Sequence, residues 1–105
     1  MCDIVKSDVL LAFVLKKKDR ISFHCLRELR DKIEEQQPDV ILDISAPSID
    51  LALHYYPQLF RQEGRYIRRA DTSERFFNSE YVDYTFFSFL SPRVAEFLDK
   101  AVAAP

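Results

Sequence analysis

The sequence predicts an α/β fold: a small sandwich in which helices pack on a four- or five-stranded mixed, mostly parallel sheet. Three observations predict it. A helical pattern over residues 22–36 stops at Pro38, a short apolar run follows from Val40 to Ile44, and a polar corner, Ser45-Ala46-Pro47-Ser48, leads into a second helical pattern. A strand set between two helices belongs inside a sheet, and helical crossovers make its neighbours parallel.

The composition narrows the function classes. A chain of 105 residues is read as one domain, and 48% hydrophobic with 30% charged residues excludes a disordered chain. A net charge of -2 gives no broad basic field, so nucleic acid is not an expected partner. The longest apolar run, Val9 to Leu15, falls far short of the ~20 residues that span a bilayer, so no membrane is expected either. With no secretory leader upstream, Cys2 and Cys25 read as reduced thiols and the expected location is cytoplasmic. Phosphate-cradling loops need several glycines, and Gly64 is the only one, so a Walker or Rossmann loop is excluded and no cofactor is expected.

In chain order, Met1 to Ser7 either adds an edge strand or frays. Val9 to Leu15 lacks alternation and reads as a strand covered on both faces, and Lys16, Lys17 and Lys18 with Asp19 and Arg20 form a solvated turn. Ser22 caps a helix to about Gln36 with Phe23, Leu26, Leu29 and Ile33 as its buried stripe and Cys25 beside them. On its other face Glu28 with Lys32 and Arg27 with Asp31 are spaced to pair. His24 beside Cys25 is not a metal site, because adjacent helical positions diverge by about 100°.

Residues 39–45 read as a strand, with Val40, Leu42 and Ile44 on one face and Ile41, Asp43 and Ser45 on the other. Either Ser45 or Ser48 caps the next helix, with Pro47 in its first turn. That helix runs through Ile49, Ala52, Leu53 and Tyr56, kinks or restarts at Pro57, continues through Leu59 and Phe60, and ends at Gly64 as a left-handed C′ residue. Residues 65–69 form a short strand ending in a basic corner, and Asp71 to Glu74 opens a brief helix through Phe77. Tyr81 to Phe89 is rich in β-formers and reads as a half-exposed strand. Ser91-Pro92 then starts a last helix with Val94, Phe97, Leu98, Ala101 and Val102 as its stripe.

Asp43, Ser45, Ser48, Asp50 and Leu51 lie at the carboxyl end of the central strand, where open α/β sheets place their sites. The stretch Asp43-Ile44-Ser45 followed by Ile49-Asp50, within this order of elements, resembles the strand–loop–helix corner of the STAS domain, named for sulfate transporters and anti-sigma-factor antagonists. The resemblance implies a regulatory, non-enzymatic interaction module that docks a protein at this corner. Leu51 and Ala52 stand where many members carry a phosphorylatable serine, so no phosphorylation switch is implied. Pro38 to Asp43 is also similar to the strand before the phosphoacceptor of response-regulator receivers, although the acidic pair that would hold magnesium is missing.

No nucleophile, base and oxyanion set surrounds the corner, which favours docking of a protein partner over catalysis. Two alternatives stand beside that reading. One is a small enzyme or metabolite binder holding an anion with Arg65, Arg68 and Arg69 near Asp43; the other is a structural homodimer through the aromatic strand 81–89.

Overall fold

In the computed structural model, which describes residues 3–103, the order of elements is β1 (Asp3–Val5), α1 (Ser7–Lys17), β2 (Arg20–Ser22), α2 (Phe23–Gln36), β3 (Val40–Leu42), α3 (Ala46–Tyr55), β4 (Phe60–Glu63), β5 (Tyr66–Arg69), α4 (Glu74–Phe77), α5 (Tyr81–Thr85), a 3₁₀ turn over Phe87–Phe89 and α6 (Pro92–Ala103). Cys2 lies outside the described residues.

The α/β class holds, but the single, mostly parallel sheet does not. Among the described residues, five strands divide into a parallel pair, β1-β3, and an antiparallel triple in the order β2-β5-β4. The edge-strand alternative for the first segment is realised: Asp3, Ile4 and Val5 register with Val40, Ile41 and Leu42. β4 and β5 form a hairpin whose two-residue loop is Gly64-Arg65.

The largest correction concerns Val9–Leu15, which is helix rather than strand. Leu10, Leu11, Ala12, Phe13, Val14 and Leu15 are all buried, so α1 is apolar on every side and runs through the middle of the molecule against α3, α6 and β2. Asp8 in its first turn and Lys16 and Lys17 in its last match the helix dipole. The lysines therefore close a helix rather than form a turn. Lys16 pairs with Asp83 at 2.6 Å and Lys17 with Asp99, tying α1 to α5 and α6.

The segment 81–89 is likewise helical, so the aromatic strand does not exist. Val82 and Phe86, four apart, are buried, and the Phe86 ring meets Tyr56 at 5.1 Å and Phe60 at 6.2 Å. α3 ends at Tyr55 without a restart beyond Pro57, and Phe60 opens β4. Gly64 has the expected positive φ, +62°, but uses it in the hairpin: a glycine in the first loop position, followed by a residue with negative φ, is the type II′ arrangement.

Helix α2 keeps its boundaries and its cap, Ser22 Oγ accepting from Cys25 N–H at 3.0 Å, and buries Leu26, Leu29 and Ile33. Cys25 itself is exposed rather than part of the stripe. The charged pairs also differ from the expected ones: Glu28 pairs with His24 at 2.7 Å, again four apart, and Asp31 with its neighbour Arg30 at 3.1 Å. Val94, Leu98 and Val102 bury the face of α6, whose start Ser91 caps by accepting from Val94 N–H.

Candidate functional site

The corner after β3 is built by three hydroxyls and one carboxylate. β3 ends at Leu42, sooner than the seven residues expected, and Asp43 turns the chain. Its Oδ1 accepts from Ser45 N–H at 3.3 Å and from Ser45 Oγ at 3.0 Å, the local bonding that makes Asp a turn residue. Ser45 is the cap of α3: its Oγ accepts from Ser48 N–H at 3.4 Å and its carbonyl from Ile49 N–H at 3.0 Å. Pro47, without an N–H, needs no acceptor in this first turn.

Buried Ser7, at the start of α1, fastens the corner from beneath. Its hydroxyl donates to the Asp43 carbonyl and lies 2.8 Å from Ser48 Oγ. Ser7 has one proton and spends it on the carbonyl, so Ser48 is the donor to Ser7. Ser48 is thereby engaged inside the molecule.

The structure brings some of the expected site residues together and separates others. Asp43 and Ser45 border an open hollow of about 560 Å³ between β3 and α2, with Arg30, Asp31 and Glu34 on its far wall. Asp50 borders a second hollow, of about 320 Å³, between α2 and α3. Ser48 and Leu51 border a third, of about 180 Å³, beside Tyr55 and Tyr56. The first two meet at Arg30 and Ile44. Leu51 is 54% exposed.

Ile4 and Ile41 are functional candidates that the sequence reading passed over. They are register partners on the outer face of β1-β3, 64% and 40% exposed, and both border the hollow that reaches Asp43 and Ser45. The alternation of Val40, Ile41 and Leu42 already turned Ile41 outward; only the pairing with β1 shows that it meets a second isoleucine.

The three arginines of the alternative site do not converge. Arg65 sits in the hairpin loop, while Arg68 and Arg69 follow each other in β5 and so point to opposite faces. Arg68 binds Glu63 and Asp71, and these contacts, Glu63 first, raise its pKa. Arg69 donates to the carbonyls of Leu15 and Lys16 and lies over the Phe77 ring. None of them borders a hollow with Asp43.

No protein-family model, curated protein or solved structure matches the chain. No group of three or more His, Cys, Asp and Glu among the described residues is placed to hold a metal ion. No helix among them is long and apolar enough to cross a membrane. His24 and His54 are both exposed, His24 paired with Glu28 and His54 edge-on to Tyr55 at 5.3 Å.

Proposed function

We propose that the chain is a non-enzymatic, cytoplasmic protein-interaction module that docks a protein partner at the corner after β3 and across the adjoining outer face of β1-β3. The observation that supports it is the isoleucine pair. A parallel pair of strands with one face open is unusual, because parallel sheets are ordinarily covered on both faces. Here Ile4 and Ile41 lie open side by side, and Asp43, Ser45, Arg30 and Glu34 rim the hollow below them with both signs of charge. An apolar centre with a polar rim is the anatomy of an interface. Covering the two isoleucines removes about one side chain's worth of apolar surface from water, roughly 2–3 kcal/mol. A STAS-like construction draws its support from the strand–loop–helix corner capped by Ser45; the division of the strands into two sheets is outside that family's plan.

The test is affinity capture with the Ile4→Asp, Ile41→Asp double variant against the parent chain. The substitutions are on an open face, so the fold is expected to survive, and the specific partner is expected to bind at least about tenfold more weakly. If the folded variant retains every partner of the parent, or the parent retains none, the docking reading fails.

A further inference from the structure

The hollow between α2 and α3 carries a second kind of binding: neither Ile4 nor Ile41 borders it, and it shares only Arg30 and Ile44 with the hollow beneath them. Its volume of about 320 Å³ is that of a small-molecule site. Phe23, Leu26 and Ile49 supply an apolar floor.

Polar groups of opposite character stand around that floor. On the α2 side are Arg27 and Arg30. Arg27 has no ion pair or side-chain hydrogen bond among the described residues, and Arg30 uses its Nε on Asp31 while its two Nη groups have no partner among them. Ala46, at the first turn of α3, adds a backbone donor. Pro47 has no N–H, Ser48 N–H goes to Ser45 Oγ and Ile49 N–H to the Ser45 carbonyl, so Ala46 N–H alone in this turn is left without an acceptor among the described residues. The acceptors come from α3 and β4: the Asp50 carboxylate, also without a partner among the described residues, and Gln62. The amide nitrogen of Gln62 donates to the Gly64 carbonyl at 3.2 Å, which leaves its oxygen for a donor.

A purely anionic ligand would leave Asp50 facing it, and a purely cationic one would meet two guanidinium groups. We propose that the hollow binds a small amphoteric molecule, a free α-amino acid with an apolar side chain. Its carboxylate is held by Arg27, Arg30 and Ala46 N–H, its ammonium by Asp50 and Gln62, and its side chain lies on Phe23, Leu26 and Ile49. Guanidinium is suited to the carboxylate because its planar fork donates two parallel bonds.

The experiment is titration of the full chain, followed by backbone amide NMR, with L-leucine and L-phenylalanine, their N-acetyl and carboxamide forms, and inorganic phosphate. The free amino acids are expected to give saturable shifts confined to residues 23–30, 44–50 and 62. Blocking either end, or introducing Arg27→Gln or Asp50→Asn, is expected to weaken binding at least about tenfold. Both side chains are exposed, so the variants keep the fold, and the blocked ligands test the same claim on the parent chain. The proposal is overturned by absence of saturable shifts, by blocked forms binding as well as free ones, or by phosphate displacing the amino acid at equal concentration. Capture of a protein partner by the isoleucine face is read with no amino acid present, so failure here and failure of the docking reading are separable.

Discussion

Ser7 has a larger structural role than its size suggests. It is buried, and its one hydroxyl joins the Asp43 carbonyl to Ser48, so the start of α1 and the start of α3 are held on the same corner. Truncation to alanine strips a carbonyl and a hydroxyl of their partner in a half-buried site, a loss of about 1–3 kcal/mol. Ser45 caps α3 from an exposed position, and replacing such a cap by alanine costs typically about 1 kcal/mol. Urea unfolding is therefore expected to place Ser7→Ala at or below Ser45→Ala in midpoint, both below the parent, with unchanged slopes. A Ser7→Ala midpoint equal to the parent's would show that the Ser7 tie does not stabilise the fold.

At the scale of elements, the segment 81–89 offers a sharp comparison. A strand would put Val82, Tyr84 and Phe86 on one face, whereas the helix buries Val82 and Phe86 and turns Tyr84 out. Phe86→Ala is expected to cost about 3–5 kcal/mol, since it empties a site shared with the rings of Tyr56 and Phe60, and Tyr84→Ala to stay within about 0.5 kcal/mol of the parent. Equal losses at both positions in thermal or urea unfolding would favour the strand. The same segment shows why the sequence misled: aromatic and β-branched residues score as strand formers, while the four-residue spacing of Val82 and Phe86 was the stronger evidence. Val9–Leu15 misled for a different reason. A helix at the centre of a molecule has no polar stripe, so periodicity is silent, and only Asp8 at one end with Lys16 and Lys17 at the other betrayed it. Where one face met solvent, as in α2 and α6, the stripe and the caps at Ser22 and Ser91 were readable. Of the corner, a serine cap on α3 was readable from local turn chemistry, but not the choice of Ser45 over Ser48 nor the end of the strand before Asp43; Ile4 beside Ile41 depends on a pairing across some 37 positions of chain, which no local pattern carries.

The described residues form two small sheets joined by a buried helix, and an ion-pair cluster ties the last helix to the first sheet. Arg93 on α6 reaches Asp39 at 2.6 Å, Asp3 at 3.1 Å and the side-chain oxygen of Gln37 at 2.8 Å, so one guanidinium joins the last helix to the starts of β1 and β3. The hydrogen bond from Arg93 is the main reason that the Asp39 pKa is lowered, and Asp39 in turn raises that of Arg93. The sign follows from proton counting. Between the ordinary carboxylate pKa and the lowered one, the unfolded chain binds a proton at Asp39 that the folded chain refuses, so stability falls as the pH falls. The contribution is complete at neutrality and above the ordinary carboxylate range, and it is lost as the pH drops through the folded-state pKa. Arg93 titrates far above any working pH and adds nothing to this limb. Asp39→Asn removes the titrating group, so its urea midpoint is expected to lie below the parent's at neutrality and to converge on it in acid. Midpoints that stay parallel from neutrality into acid would show that the Arg93 contact with Asp39 does not set the acid limb.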